Sequence, residues 1–272
     1  MSAADESGDL ANGRLTREIA GKYRDLINDR FGIFYSPAKL YLLKAKLLKL
    51  SEKVGDLEEF YTSLVIGVPW AVDTLMGVIT VGHTFFFREG EHFSILAEDI
   101  RARKLRSPLV WCAASSTGEE PYSIAITLLE AEMDDFLILC SDINPKAIGV
   151  MHRGVYGEGK FENTPRPLIR KYFDNTGPGE YRVKADLRRY LKIKKLNLFE
   201  RLVFERKFDY IFCRNVMIYF DGEGRRKVFD NLLSNLSPGG LLFLGQSETI
   251  FDLPQNVRKE GVSMYRKTGE KP

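Results

Sequence analysis

The sequence predicts an α/β protein with a parallel, doubly wound sheet, a small inserted antiparallel β subdomain and an all-α N-terminal domain. Three observations lead to this prediction. Apolar runs typical of buried strands alternate with helical stretches after residue 106. Residues 16–80 show only helical periodicity. Residues 156–195 contain turn signals and half-exposed alternation, which are typical of antiparallel strands.

Composition limits the classes of function. The chain has 272 residues, of which 44% are hydrophobic, so it can bury the core of one large or two modest domains. Its 40 basic and 37 acidic residues nearly balance, and we therefore expect no nucleic-acid partner. Three dispersed cysteines predict neither a disulfide framework nor a zinc site, which fits a reducing, cytoplasmic location. An acidic start and the lack of a long apolar run predict no signal peptide and no membrane insertion.

The N-terminal part divides into a tail and a helical domain. Residues 1–13 have the composition of a disordered tail, and we exclude them from the fold. Residues 14–80 form the helical domain, because apolar side chains recur there at helical spacing: Ile19, Tyr23, Leu26, Ile27, Leu40, Leu43, Leu47 and Leu50. One face of the second helix groups four lysines, which form either a solvated face or a docking surface: Lys39, Lys46, Lys49 and Lys53.

The second domain covers residues 81–272. It contains a strand at 109–114, a turn at 115–118 and a helix from Glu119 to Glu132. A second strand at 136–141 ends on Asp142, and Asn144-Pro145 opens the next helix. Further strands are predicted at 208–213 and 241–244. Strands that alternate with helices in this way predict a parallel, doubly wound sheet.

The insertion at about 156–195 differs from the rest of the domain in its strand pattern and its charge. Residues 181–183 and 190–193 alternate as half-exposed antiparallel strands do. Between residues 182 and 195, seven basic residues stand against one acidic residue, which gives a net charge of +6. Such a surface could meet an acidic partner.

The first strand-to-helix turn indicates the class of ligand, because ligands of open α/β sheets lie beyond the carboxyl ends of the strands. This turn has one glycine, Gly118, and it leads into two carboxylates, Glu119 and Glu120. Carboxylates at a helix start occupy the electropositive end that a pyrophosphate would use, which argues against NAD, ATP and a dehydrogenase. A cationic nucleoside without phosphate, such as S-adenosylmethionine, suits the turn better. The alternative is that both carboxylates only cap the helix.

Polar residues follow the other predicted strands. Asp142 lies 24 residues after Gly118, close to the spacing of an acidic residue that accepts hydrogen bonds from ribose hydroxyls, although aspartate also begins many turns. Asn197 and Arg214-Asn215 would reach the same sheet edge, where adenine nitrogens could be recognised.

The inventory of reactive groups favours methyl transfer. The sequence shows no Ser-His-Asp or Cys-His arrangement, and its three histidines have no metal-ligand spacing, so we expect no metal. Methyl transfer to a carboxylate needs mainly alignment of two substrates, with a cation and a hydrogen-bond donor at the acceptor. Arg88 and Tyr219 are the candidates. The alternatives are a surface salt bridge for Arg88 and a core aromatic for Tyr219.

Four strings carry a family resemblance: TFFFRE at 84–89, STGEEPYS at 116–123, SDI at 141–143 and FCRNVMIYF at 212–220. Over residues 16–268 the chain resembles the chemotaxis receptor methyltransferases of the CheR family. The resemblance implies a Rossmann-like S-adenosylmethionine-dependent methyltransferase domain with an inserted β subdomain, behind a helical N-terminal domain. It also implies a cytoplasmic bacterial enzyme that methylates glutamate carboxylates on the cytoplasmic domains of methyl-accepting chemoreceptors and releases S-adenosylhomocysteine.

The same resemblance assigns residues to the site. The catalytic pair would be Arg88 and Tyr219. The cofactor would be bound by Thr84, Arg88, Glu119, Asp142, Asn197, Leu198, Arg214 and Asn215.

Two departures from the family pattern concern Gly82 and the turn at 176–180. Many members have asparagine at the position of Gly82. Members that dock on a receptor's C-terminal pentapeptide have a longer turn than residues 176–180 provide, so we do not expect pentapeptide tethering. Two alternative functions stay open: a methyltransferase for a small carboxylic acid, and a non-catalytic module that senses S-adenosylmethionine.

Overall fold

The computed structural model describes residues 15–269. The disordered tail predicted at residues 1–13 lies outside this range. The chain forms two compact units. The first is the chain up to Val81 together with Tyr219–Gly224, and the second is Gly82–Ile218 together with the chain from Arg225 onwards. The sequence did not indicate that Tyr219–Gly224 groups with the N-terminal residues.

The first unit is helical, as predicted. Its helices are α1 (Arg17–Phe31), α2 (Leu40–Val54), α3 (Leu57–Val65) and α4 (Pro69–Ile79). Side chains cap two of the helix starts: Thr16 Oγ1 accepts from the Ile19 amide at 3.1 Å, and Asp56 accepts from two amides of α3. The core consists of the periodic apolar residues, among them Tyr23, Ile27, Leu43, Leu47 and Leu50.

The lysine face of α2 is less uniform than the sequence suggested. Lys39, Lys49 and Lys53 are exposed. Lys46 is half-buried, and its ammonium donates to the carbonyl of Ile79 at the end of α4. Burial, assisted by the charge of Lys49, lowers the pKa of Lys46. Lys46 therefore belongs to the packing of the helices, because a helix end offers carbonyl groups without intrahelical partners.

The second unit is built on a seven-stranded mixed sheet in the order β6-β2-β1-β7-β8-β10-β9. Its strands are β1 (Leu109–Cys112), β2 (Leu137–Asp142), β6 (Leu191–Lys195), β7 (Phe208–Cys213), β8 (Leu236–Leu244), β9 (Val257–Gly261) and β10 (Met264–Lys267). The five strands from β6 to β8 are parallel, and four of them, β2, β1, β7 and β8, were predicted as strands of the parallel sheet. The last two, β9 and β10, run antiparallel to their neighbours and were not predicted.

Helices and a small sheet complete this part of the chain. The remaining helices are α5 (Glu91–Arg103), α6 (Glu119–Glu130), α7 (Pro145–Arg153), α8 (Arg166–Tyr172), α9 (Ala185–Arg188) and α10 (Gly222–Asn235). The small antiparallel sheet has the order β3-β5-β4, with β3 at Val155–Gly157, β4 at Phe173–Gly177 and β5 at Glu180–Val183. Asn144 caps α7 through its side chain, as Asn144-Pro145 predicts.

One strand of the predicted insertion belongs elsewhere. Residues 190–193 were predicted as an antiparallel strand of the β subdomain, but Leu191–Lys195 is β6, a parallel edge strand of the main sheet that pairs with β2. An edge strand is covered on fewer sides than a central one, so its side chains alternate in exposure like those of an antiparallel strand. The alternation therefore identified a strand but not its neighbour.

An aromatic cluster attaches the insertion to the rest of the second unit. Phe86 stacks on Phe161 with ring centroids 4.7 Å apart, and both rings meet Phe173 edge-on. Such pairs stabilise by about 0.5–1.5 kcal/mol beyond their buried area. The segment around Phe86 is consequently held against the inserted residues.

Between residues 15 and 269 no single helix is long and apolar enough to cross a membrane. The bent pair α3 and α4 meets the criterion jointly, by length and composition alone.

Candidate functional site

Four predicted site segments lie at one edge of the main sheet. Strands β6, β2, β1 and β7 are consecutive neighbours and parallel, so their carboxyl ends lie side by side. Asp142 is the last residue of β2, and Asn197, the turn at 113–118 and Arg214 follow the other three ends. The Leu196 amide donates to the Asp142 carbonyl at 3.1 Å, which holds the chain leading to Asn197 beside Asp142. This edge is where ligands of open α/β sheets bind.

The turn after β1 depends on Gly118, whose φ is +100°. A Cβ atom there would lie 2.5 Å from Met151 Cγ and 2.9 Å from the Tyr156 hydroxyl oxygen. Both the backbone conformation and the packing therefore require glycine at this position. Ser116 also has a positive φ, of 46°, so the turn combines two left-handed residues.

Asp142 is held by the backbone of this turn. Its Oδ2 accepts from the Ser116 amide and its Oδ1 from the Asn144 amide, both at 2.8 Å. Burial raises the pKa of the Asp142 carboxyl above its ordinary 3.8, although the backbone hydrogen bonds oppose the shift. The Ile143 amide is a third backbone donor to this carboxylate, and the acceptor capacity that the three amides leave could serve a ribose hydroxyl.

Glu119 and Thr84 meet through a residue that the sequence did not single out, Lys160. The Glu119 side chain is wholly buried, and its Oε2 accepts from the Thr117 hydroxyl at 2.6 Å. Lys160 Nζ lies 2.9 Å from Glu119 Oε1 and donates to the Thr84 carbonyl at 2.7 Å. Two predicted cofactor residues, 35 positions apart in sequence (119 − 84), are thus joined by one ammonium group.

Arg214 is the centre of a buried ionic cluster. Its side chain is 1% exposed, and its guanidinium lies 3.1 Å from Glu89 Oε2 and 3.1 Å from Glu120 Oε2. It also donates to the Arg88 carbonyl at 2.5 Å. Burial raises the pKa of Glu120, and the charge of Arg214 opposes that shift. The Nε and Nη1 atoms of Arg214 are buried and have no hydrogen-bond partner among the described residues, so the guanidinium is held mainly by charge.

Asn215 shares partners with this cluster. Its φ is 57°, its amide donates to Glu248 Oε2 at 2.8 Å, and its Nδ2 donates to Glu89 Oε1 at 3.3 Å. Buried Glu248 also accepts from the amides of Gly245 and Ile218. Sequence reasoning missed Glu89 and Glu248 as members of the site. An arginine at the end of a buried strand needs carboxylate partners, and this need could have pointed to them. It does not tell which carboxylates in the sequence are the partners.

Asn197 and Leu198 occupy the end beyond β6. Asn197 Oδ1 accepts from the Phe199 amide at 3.1 Å and shapes the local turn. Leu198 is buried, and its carbonyl accepts from Asn231 Nδ2 at 3.3 Å. Asn197 and Leu198 therefore both lie just beyond the carboxyl end of β6.

Arg88 and Tyr219 fall into different units. Arg88 is partly exposed, its Nη1 donates to the His83 carbonyl at 2.8 Å, and its ion pair with Glu89 is long, at 4.0 Å. Tyr219 ends a short 3₁₀ helix and belongs to the first unit, where its carbonyl accepts from the Phe34 amide at 2.8 Å. The joint action of Arg88 and Tyr219 on an acceptor stays a prediction.

Gly82 lies against the turn after β1. A Cβ atom at Gly82 would be 2.7 Å from Ser116 Oγ. That oxygen is buried and has no hydrogen-bond partner in the described part of the chain. Ser116 Oγ thus occupies space next to the position where many family members carry an asparagine side chain.

The described residues contain no group of three or more His, Cys, Asp or Glu side chains that could hold a metal ion. The three cysteines are buried and unpaired, and burial raises the pKa of each thiol, which makes the thiolate a poor candidate for a nucleophile.

A family model described as the CheR methyltransferase SAM binding domain matches residues 82–266. The chain belongs to the CheR methyltransferase family. The resemblance found in the sequence is thereby confirmed. The CheR family chain is an S-adenosylmethionine-dependent methyltransferase, and S-adenosylhomocysteine is the product of its cofactor.

Curated relatives of this CheR family chain align over most of its length. It is 36% identical to chemotaxis protein methyltransferase 2 of Pseudomonas aeruginosa, over 92% of this chain and 93% of the relative. It is 34% identical to a probable chemotaxis protein methyltransferase of Rhizobium etli, over 87% and 95% of the two chains. It is also 34% identical to the chemotaxis protein methyltransferase of Escherichia coli, over 96% and 84%.

The sheet edge fits S-adenosylmethionine. Asp142 offers hydroxyl acceptors, the buried Ser116 Oγ has no partner among residues 15–269, and the turn carries no cluster of glycine amides for a pyrophosphate. Residues that would hold the cofactor are therefore Asp142, the turn at 116–119 and the chain after β6 and β7.

Proposed function

We propose that this chain transfers a methyl group from S-adenosylmethionine to the side-chain carboxylate of glutamate residues on chemoreceptors. The reaction would take place in the cytoplasm and adjust receptor signalling in chemotaxis. The similarity to chemotaxis protein methyltransferases supports the chemotaxis role. The acceptor class is supported by the residues at the sheet edge.

The contrast between two arginines carries the proposal. Arg214 is enclosed and lies 3.1 Å from each of two carboxylates, so its charge is neutralised. Arg88 is 29% exposed, and its ion pair with Glu89 is 4.0 Å long. The guanidinium of Arg88 therefore keeps a net positive charge and a planar set of donors for an incoming carboxylate.

The transfer needs alignment more than acid-base catalysis. When bound, S-adenosylmethionine supplies a methyl group on a positively charged sulfur. The acceptor oxygen forms the new C–O bond while the C–S bond breaks and its electron pair stays on sulfur. No proton moves, because a glutamate carboxylate is already ionised near neutral pH. Arg88 would hold the carboxylate in line and the Tyr219 hydroxyl would donate a hydrogen bond to it, while Asp142 orients the cofactor.

The receptor surface is expected to be acidic. Complementary charge is supplied by exposed Lys49 and Lys53 on α2, by exposed Lys39 just before it and by the basic stretch at 182–195. The β4–β5 connection has only two residues, Pro178 and Gly179, which supports docking without pentapeptide tethering.

Methylation of receptor fragments with tritiated S-adenosylmethionine tests the function. We expect base-labile methyl esters on receptor glutamates, and we expect Arg88→Ala and Tyr219→Phe to abolish most of the labelling. Asp174→Asn, at an exposed site in β4, is the matched control and should label normally. Labelling of small acids alone would favour a small-carboxylate methyltransferase. Cofactor binding without any labelling would favour a non-catalytic sensing module.

A further inference from the structure

We propose that Lys160 is a positioning residue that couples the inserted β subdomain to the cofactor site and sets the affinity for S-adenosylmethionine. The inference rests on the proposed function in one respect, the assignment of Thr84 and Glu119 to the cofactor site. Lys160 itself is not one of the residues that the family resemblance assigns to the site.

The side chain of Lys160 serves two acceptors. Its ammonium lies 2.9 Å from Glu119 Oε1 and donates to the Thr84 carbonyl at 2.7 Å. Glu119 is wholly buried at the start of α6, where an uncompensated carboxylate is costly. Lys160, which belongs to the insertion, supplies the counter-charge for Glu119.

The backbone of Lys160 also binds the chain next to Thr84. Its carbonyl accepts from the Phe86 amide at 3.0 Å. The chain from Thr84 to Phe86 is therefore fastened to Lys160 at both ends. The neighbouring Phe161 ring stacks on Phe86 at 4.7 Å, which fixes the position of Lys160 itself.

The two hydrogen bonds between Lys160 and the Thr84–Phe86 segment also affect the residues around Arg88. Arg88 comes two positions after Phe86, and its carbonyl accepts from buried Arg214. Movement of the Thr84–Phe86 segment would displace both a predicted cofactor contact and the approach to the acceptor-binding arginine. Lys160 touches neither the reacting atoms nor the acceptor, so it should change the binding of cofactor more than the chemical step.

The decisive variants are Lys160→Met and Lys160→Arg, with S-adenosylhomocysteine as the calorimetric probe. We expect Lys160→Met to weaken its binding about ten-fold, as loss of a charge-assisted hydrogen bond does. Lys160→Arg should retain most of the affinity, because it keeps the charge and the donors. The KM for S-adenosylmethionine should rise in Lys160→Met while kcat stays close to that of the wild type. Lys184→Met is the matched control, since its ammonium donates to the carbonyls of Arg170 and Lys171 instead.

A second pair of variants separates positioning from mere stability. Glu119→Gln removes the buried charge, so adding Lys160→Met to it should lower the free energy of unfolding by less than Lys160→Met does in the wild type. We expect the double variant still to bind S-adenosylhomocysteine several-fold more weakly than Glu119→Gln alone, because the Thr84 anchor is lost. Equal affinities of these two variants, or wild-type affinity in Lys160→Met, would overturn the inference and leave the proposed function standing. Failure of the wild-type protein to bind the probe would overturn both.

Discussion

The guanidinium of Arg214 lies 3.1 Å from the carboxylate of Glu120, in a place where both side chains are largely withdrawn from water. Glu120 also accepts from the Cys112 thiol at 3.1 Å, at the end of β1. The pair therefore connects the carboxyl end of β7 to the first turn of α6. It links the two strand ends between which a ligand of this fold is expected.

Removing one partner of this buried cluster should be costly. We expect Arg214→Met to lower the free energy of unfolding by about 3–5 kcal/mol, because Glu89 and Glu120 would be left without their counter-charge. Chemical denaturation measures the change. The exposed pair Arg226–Asp230 on α10 is the control, and Arg226→Met should cost less than about 1 kcal/mol. An equal effect of both variants would show that Arg214 is not compensating a buried charge.

Asp142 should contribute directly to cofactor affinity. We expect Asp142→Ala to weaken the binding of S-adenosylhomocysteine by about 1–3 kcal/mol, because ribose hydroxyls would lose their acceptor. Calorimetry measures the change, with exposed Asp174→Ala as the control that should bind normally. Unchanged affinity in Asp142→Ala would remove Asp142 from the site.

The pH dependence of Asp142 has opposite signs for stability and for binding. Its pKa is raised above 3.8 by burial, so the folded chain holds this proton more tightly than the unfolded chain. Its contribution to stability is complete below 3.8 and is lost as the pH rises through the raised pKa. Cofactor affinity should increase over the same interval, because the ionised carboxylate is the better acceptor. Denaturation and calorimetry between about pH 4 and 7, compared with Asp142→Asn, measure both trends, and parallel pH profiles of wild type and variant would contradict them.

The turn after β1 should not tolerate a side chain at Gly118. Gly118→Ala places a methyl group against Met151 and the Tyr156 hydroxyl and forces alanine to a φ of +100°. We expect a loss of at least about 1–3 kcal/mol in unfolding free energy and weaker cofactor binding. Gly159 has open space around its Cβ position and an ordinary φ, so Gly159→Ala should change stability by less than about 0.5 kcal/mol. If Gly118→Ala changed neither the unfolding free energy nor cofactor binding, the turn would be able to adopt another conformation.

Charge reversal on α2 distinguishes the two docking surfaces. We expect Lys49→Glu combined with Lys53→Glu to raise the KM for receptor fragments several-fold and to leave S-adenosylhomocysteine affinity unchanged. Arg182→Glu, on exposed β5, tests the small sheet in the same assay. If only Arg182→Glu raised the KM, the small sheet and not α2 would be the docking surface. Lys46 is unsuitable for this experiment because its ammonium supports the end of α4.

The central parallel strands β1, β2 and β7 were predictable because each is a largely buried apolar run, as in Leu109–Cys112. The hairpin of β9 and β10 was not, since Val257–Gly261 exposes most of its side chains and reads as a polar loop. Leu191–Lys195 was recognised as a strand but assigned to the wrong sheet. Exposure along a strand reports how much of it is covered and says nothing about which strand covers it.

The residues of the candidate site likewise divide into those that the sequence could predict and those that it could not. Asp142 and Arg214 could be found because strand ends in a parallel sheet meet at one edge. Lys160 and Glu248 could not, because their partners are distant in sequence: Glu119 is 41 positions from Lys160 (160 − 119), and Asn215 is 33 from Glu248. Ion pairs and backbone hydrogen bonds of that range follow from the tertiary fold, and no local spacing encodes them.

The return of Tyr219–Gly224 to the helical unit limits how such enzymes can be recombined. A chimera that joined another protein's first 81 residues to this chain would replace Phe34, whose amide donates to the Tyr219 carbonyl. The six residues of that returning segment would then face a foreign surface. Exchanging the two stretches together, as one cassette, should preserve the setting of Tyr219 in a way that a single crossover at residue 81 does not.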